Sequence, residues 1–318
     1  MNDEASPIYG WSFGVVKESL GAYAKGKTGA KTLDRWAVTL KKLYPVILDT
    51  IVIPMMATHD IHSITWLGKS RTGKSTCSKT IGFAISAFQI DKHKRTDLRP
   101  SVITAKKVDF YRLEPGSKFK PAIGDDMALY KLEPDEYKAM GDPGEEDALL
   151  WARWGGASFE MNQSRQFCAN PHAKQSEPST SASTLREAIK LEDFLKMIST
   201  NWPKDSTEED VAAYLNRSHF VLLTDNWIYY RFARAEMDSL VDRMPWPNPK
   251  KKKLFLPEAT EILKKFKKDQ AWTPSDYDAD MKWGIALLQQ LAQGVRPPQT
   301  VTMLNACPFT GANVTKYP

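Results

Sequence analysis

The chain has 318 residues, 42% of them hydrophobic and 26% charged, an ordinary globular composition that excludes wholesale disorder. Its 44 Lys+Arg against 38 Asp+Glu leave a formal charge of +6, which permits a polyanionic partner without requiring one. The cysteines Cys77, Cys168 and Cys307 are too few and scattered for a disulfide framework, and Cys168-x-x-x-His172 offers fewer ligands than a structural zinc needs, so a reducing compartment is expected.

Met1–Ser6 is acidic and polar, unlike the basic and then apolar start of a secretory signal. The longest apolar stretch, Tyr44–Ala57, is broken by Asp49, Thr50 and Pro54 and is too short to span a bilayer. A soluble intracellular protein is expected, cytoplasmic or nuclear, with no membrane partner. Three regions are predicted: N-terminal helical over 1–60, a core over 61–245, and basic helical over 246–318.

Up to Lys31 periodicity is weak. From Thr32 to Met56, residues Leu33, Trp36, Leu40, Leu43, Tyr44, Ile47, Ile51 and Met55 recur at three- and four-residue intervals. They predict an amphipathic helix or helical pair, capped by Thr32 or Asp34 and broken or kinked at Pro45 and Pro54. Ser63–Leu67 predicts a short buried strand, and Ser75–Gln89, with Ile81, Ala84, Ile85 and Phe88 at helical spacing, predicts a helix. Between them runs Gly68-Lys69-Ser70-Arg71-Thr72-Gly73-Lys74-Ser75-Thr76, which fits the phosphate-binding pattern G-x-x-x-x-G-K-[ST] at every fixed position. The glycines let the backbone curl until successive N–H groups converge on nucleotide phosphates. Lys74 carries charge to the β/γ-phosphates, and the Ser75 hydroxyl is placed to ligate Mg²⁺.

Beyond the helix, the basic stretch Asp91–Arg99 is either a solvated connection or a face toward DNA or RNA. Ser101–Thr104 and Lys107–Tyr111 look like strands. Lys120–Met127 brings Asp125-Asp126 to the end of a semi-apolar strand. An ATPase needs one carboxylate that reaches Mg²⁺ through water and a second that orients or deprotonates the attacking water. Adjacent acids supply both, and the same pair also suits a polar turn. Glu145–Trp154 predicts an aromatic helix stopped by Gly155-Gly156, and Ser158–Gln163 a strand. Cys168–Thr184, rich in Ser, Pro and Thr, reads as an exposed loop or one reaching into a pore, with Arg165, His172 and Lys174 as candidate phosphate contacts.

Phe194–Ile198 predicts a strand that runs into Ser199-Thr200-Asn201 and stops at Pro203. The Asn201 amide there either holds the attacking water and senses the γ-phosphate or simply forms a turn. Glu208–Asn216, capped by Thr207, predicts a helix that leads to Arg217 and the strand Phe220–Leu223, with Asp225–Phe232 as hairpin partner. Arg217 is placed to reach a nucleotide on a neighbouring subunit; Arg231 and Arg234 compete for that role. Lys250–Lys253 and a helix over Pro257–Lys268 carrying Lys264, Lys265, Lys267 and Lys268 form a local cationic surface, for nucleic-acid phosphates, for nuclear import or merely solvated. Asp276–Gln293 predicts a last helix that buries Trp283, Leu287, Leu288 and Leu291, and the tail after Arg296 reads as irregular.

In this order the landmarks resemble the superfamily 3 helicases of small DNA-virus replication initiators and picornavirus-like RNA viruses. Gly68–Thr76 is similar to the family's Walker A, Asp125-Asp126 to its Walker B, Ile198–Asn201 to its motif C and Arg217 to its arginine finger. The resemblance implies an α/β, AAA+-like P-loop NTPase fold with a central parallel sheet, a homo-oligomeric ring of hexamer type, and ATP hydrolysis at subunit interfaces. It also implies translocation on single-stranded DNA or RNA. ATP would sit on Gly68–Thr76, Ser75 and Asp125 would hold Mg²⁺, Asp126 would activate water, Asn201 would sense the γ-phosphate, and Arg217 would act in trans. The interval from Asp125 to Asn201 is longer than compact members show. His59-x-x-His62 lacks the alternating arrangement of a rolling-circle nuclease and reads as a polar loop. Two other readings stand beside the motor: an ATP-regulated nucleic-acid-binding scaffold that does not unwind, and a small-molecule kinase.

Overall fold

Strand β2 (Ser63–Gly68) is buried at every position and lies between two parallel neighbours, β7 (Arg165–Ala169) and β9 (Ser218–Leu223). A strand covered on both faces needs no polar alternation, so its sequence is nearly continuous in small and apolar residues. In the computed structural model, which describes residues 12, 14–16, 30–112, 114–144, 147–150, 157–170, 188–235 and 240–295, the sheet grows outward from this strand. Strands β3 (Val102–Ala105) and β4 (Ala122–Asp125) continue the parallel run beyond β7, giving the order β3-β4-β7-β2-β9. Antiparallel strands close both edges: β1 (Lys31–Leu33) beside β3, and β10 (Trp227–Arg231), β11 (Leu240–Pro245) and β8 (Ala188–Lys190) beyond β9. Strands β5 (Ala148–Leu150) and β6 (Ala157–Phe159) form a separate antiparallel pair. The fold is mixed α/β, with a parallel centre and antiparallel margins.

Alternate residues of the central strands serve two cores. Ile64 and Trp66 of β2, Cys168 of β7, and Val221 and Leu223 of β9 pack with helix α1 (Lys74–Lys92). Leu67, Phe167, Ala169, Phe220 and Leu222 face the other way, toward α2 (Pro134–Gly141), α3 (Leu191–Ile198) and α4 (Glu208–Arg217). The α1 core also takes in Ala37–Met56 and the apolar faces of α5 (Pro257–Lys268) and α6 (Tyr277–Ala292). Residues near both ends of the described chain therefore cover one side of the sheet. No helix among the described residues is long and apolar enough to cross a membrane.

Several local expectations change. Thr32–Met56 is not one amphipathic helix: Lys31–Leu33 pairs as a strand, a 3-10 turn spans Leu40–Lys42, and α-helix begins only at Pro45, whose missing N–H costs nothing in the first turn. A π segment, Leu48–Val52, then precedes the helical turn holding Pro54. Val108–Arg112 is a 3-10 turn rather than a strand, and Ala148–Leu150 is a strand inside the predicted aromatic helix. Phe194–Ile198 belongs to helix α3, not a strand, because Leu191, Phe194, Met197 and Ile198 bury one helical face. Thr207 caps α4 through a reciprocal box with Asp210, as its sequence indicates. His59 and His62 lie in the turn before β2, as expected, but are buried. Gly155, Gly156, His172, Lys174, Cys307 and the tail after Arg296 lie outside the described residues.

Two polar networks hold these layers. Asp280 of α6, only 5% exposed, accepts a hydrogen bond from Thr39 Oγ1 at 2.8 Å and pairs with Lys41 at 3.3 Å and Lys42 at 3.6 Å. Asp280→Ala removes a buried carboxylate shared by Thr39, exposed Lys41 and buried Lys42, and because Lys42 keeps Asp276 it should cost about 1 kcal/mol in urea denaturation; an unchanged midpoint would deny the network its role. On β9, His219 Nδ1 accepts the Ala233 N–H at 2.9 Å, and its Nε2 meets Thr58 Oγ1 at 2.8 Å. Burial, with His62 and Arg231 nearby, lowers its pKa from 6.5 to about 3. The unfolded chain takes up this proton below pH 6.5 while the fold refuses it, so stability falls as pH drops from 6.5 toward 3. His219→Asn should flatten that slope in pH-dependent denaturant titrations relative to the parent.

Candidate functional site

The parallel strands deliver their carboxyl ends to one edge of the sheet, where open α/β sheets bind ligands. Each end carries a polar group: the glycine-rich loop after β2, Lys106 after β3, Asp125-Asp126 at β4 and Asn170 after β7.

Gly68 has φ +121°, and a Cβ there would lie 2.2 Å from the Leu223 carbonyl oxygen on β9, so both conformation and space require glycine. Gly73, at φ +105°, turns the chain into α1. The loop tip Lys69–Arg71 is exposed, whereas Thr72 and Lys74 are buried. Lys74 folds back into the loop. Its Nζ donates to the Gly68 and Lys69 carbonyls, each at 2.6 Å, and to Asn170 Oδ1 at 3.0 Å. Burial pulls its pKa below the ordinary lysine value, against the opposing influence of Cys168, Asp126 and Asp125. The ammonium thus lies at the centre of the loop, bonded to neutral oxygens.

Ser75, in the first turn of α1, donates to Asp125 Oδ1 at 2.5 Å, and Lys79 one turn later reaches Asp125 Oδ2 at 3.2 Å. Asp126 adopts φ +58° and accepts from Asn170 Nδ2 at 3.2 Å, with Lys106 Nζ 3.9 Å from its other oxygen. One chain of contacts therefore runs from Lys74 through Asn170 to Asp126, beside a Ser75–Asp125 pair. Hydroxyl and carboxylate side by side are hard oxygen donors of the kind a hard divalent cation selects. Among the described residues there is no cluster of three or more His, Cys, Asp or Glu side chains fit for a metal, and buried Cys77 and Cys168 are free thiols.

The loop residues Gly68–Thr76, Asp125 and Asp126 are thus brought together, and Asn201 is not among them. It lies in the 3-10 turn Ser199–Asn201 that follows helix α3, 2% exposed, with its amide donating to the Ile198 carbonyl at 3.4 Å. The asparagine that ends a core strand beside Lys74 is Asn170. The signal for it was the run Arg165–Ala169 closed by Asn170-Pro171, a strand halted by a residue pair that cannot extend it.

Arg217 stands at the opposite end of the central strands. The β2–β9 register pairs Ser63 with Ser218 and Gly68 with Leu223, so Arg217 is a strand's length from the loop of its own chain. Its Nε donates to Asp142 at 2.8 Å. Arg231, 2% exposed, donates to the Leu215, Phe232 and Ala235 carbonyls, and Arg234 is exposed. Arg165 is buried, not available to a pore: it donates to the carbonyls of Ala139, Asp142, Phe159 and Glu160, and burial brings its pKa down to about 10.

The C-terminal lysines divide. Lys264 pairs with Glu261 at 2.8 Å, Lys265 lies 5.3 Å from the Trp272 ring, and Lys267 and Lys268 are exposed. Lys252 lies 3.8 Å from Asp225, which Lys69 also contacts, and Lys253 donates to the Arg71 carbonyl inside the loop. Comparison with protein-family models, curated proteins and solved structures finds no match to this chain.

Proposed function

We propose that this chain is an AAA+-like P-loop ATPase of superfamily 3 helicase type, working on nucleic acid as part of a homo-oligomeric ring. The observation that carries the reading is the meeting of Lys74, Ser75, Asp125, Asp126 and Asn170 at the carboxyl edge of three adjacent parallel strands. In this reading the loop backbone and Lys74 bind the triphosphate of ATP. Lys74 gives up its carbonyl partners for phosphate oxygens as it does so. Ser75 and Asp125 hold Mg²⁺, which supplies charge neutralisation on the phosphates when bound. Asp126 accepts the proton of the attacking water, and the Asn170 amide orients that water while holding Asp126 in place. Asn170 thus takes the part first expected of Asn201, and the interval from the paired acids becomes shorter. Arg217 can serve a nucleotide only on a neighbouring subunit, after leaving Asp142.

The ATP-regulated scaffold is the second reading, favoured by Arg217 being paired within its own chain and by Lys252 and Lys253 being engaged internally. Displacement of a strand from a forked duplex with ATP separates the two: the motor displaces it, the scaffold does not.

In a steady-state ATPase assay Lys74→Ala should abolish turnover. Asn170→Ala should lower kcat on the order of 100-fold, with Asn201→Ala leaving kcat unchanged. The reverse ranking of the two asparagines would return the sensor to Asn201.

A further inference from the structure

The phosphate loop has a cation beyond those of its own sequence. Leu254 N–H donates to the Thr72 carbonyl at 3.2 Å, and Phe255 lies against Gly73, where a Cβ would stand 3.4 Å from its ring. On the other side the same segment is bonded to the N-terminal layer: Tyr44 N–H donates to the Leu254 carbonyl at 3.1 Å, Leu256 N–H donates to the Lys42 carbonyl at 2.9 Å, and Leu43 bridges Phe255. Residues 252–256 are thus a strap held by backbone bonds against the loop, and Lys253 is fixed at the loop's rim.

Its neighbours treat charge differently. Lys69 and Lys252 share the Asp225 carboxylate. Lys253 has no carboxylate within salt-bridge distance among the described residues, and its ammonium donates to the Arg71 carbonyl. Burial, then the Arg71 charge, holds its pKa below the ordinary lysine value. A half-buried cation beside a second cation, bonded only to a neutral carbonyl, is electrostatically unfinished, and an anion entering the loop would complete it. Lys74 is in the same condition deeper in the loop.

We infer that Lys253 is a second phosphate-binding lysine of the site, supplied by the C-terminal strap, and that it exchanges the Arg71 carbonyl for an oxygen of a nucleoside triphosphate's polyphosphate chain. The inference rests on the nucleotide reading of the loop. Lys253 is thereby separated from the exposed lysines of α5 with which sequence proximity groups it.

The test uses the full-length chain with ATP and, separately, inorganic tripolyphosphate as probes in equilibrium titrations. Lys253→Gln should weaken binding of both roughly tenfold, the size of one charge-assisted hydrogen bond. Lys253→Arg should restore most of it, and Lys250→Gln should change nothing. Undiminished affinity in Lys253→Gln overturns the inference, as does a loss equally large in Lys250→Gln. Should Lys253→Gln not fold, amine acylation of the parent protein with mass-spectrometric readout replaces it. Saturating tripolyphosphate should then slow modification of Lys253 but not of Lys250 or Lys267, and an unchanged Lys253 rate overturns the inference. Failure of the parent to bind either probe, with Lys74→Ala indistinguishable from it, would bring down the nucleotide reading and this inference together.

Discussion

Everything at the candidate site depends on the burial of β2 between two parallel neighbours. A strand with both faces and both edges covered cannot shift register without moving its whole side-chain set to the wrong core. Its end is therefore fixed, Gly68 against Leu223 of β9 and Leu67 against Ala169 of β7, with little freedom. Gly68 sits at that point in a conformation only glycine tolerates, close to the Leu223 carbonyl, so the loop leaves the sheet at a set place and angle. Among the described residues the Lys74 ammonium then bonds the loop's own Gly68 and Lys69 carbonyls and Asn170.

That arrangement is costly in the absence of an anion. A buried ammonium bonded to neutral oxygens is less well compensated than one paired with a carboxylate, and the lowered pKa of Lys74 is the same fact in another form. Lys253 repeats it at the rim. By contrast Lys42 is matched by Asp276, and Lys138 by Asp135 and Asp210. Arg165, buried against backbone carbonyls elsewhere in the fold, shows that such a cation is not confined to this edge; what distinguishes the edge is that Lys74, Ser75, Asp125, Asp126 and Asn170 meet there.

The elements that could be read directly were those whose signal is local. The loop pattern, the α1 spacing, the Thr207 cap and the amphipathic helix α5 each need only neighbours in the chain to be understood. The misread ones had a signal that depends on distant partners. Strand β7 contains Arg165 and Gln166, which look like surface residues. They are buried because Arg165 finds backbone carbonyls from residues 139, 142, 159 and 160, and Gln166 finds the Ser78 carbonyl. With β7 so disguised, Phe194–Asn201 is the run that resembles a strand ending in asparagine. That run is too short for periodicity to separate helix from strand, and the helix won because its apolar face met β11 and the β8 edge.

The sequence by itself determined that a glycine-rich loop of the G-x-x-x-x-G-K-[ST] pattern stands between a strand and a helix, and that paired acids follow it. Both are statements about contiguous residues and the backbone conformations they permit. Only the tertiary structure decided which asparagine joins Lys74, which end of the sheet Arg217 occupies, and that Lys253 belongs to the loop rather than to the basic helix beside it in sequence. Those are matters of strand order and register, set by hydrogen-bond partners far along the chain that no local pattern specifies.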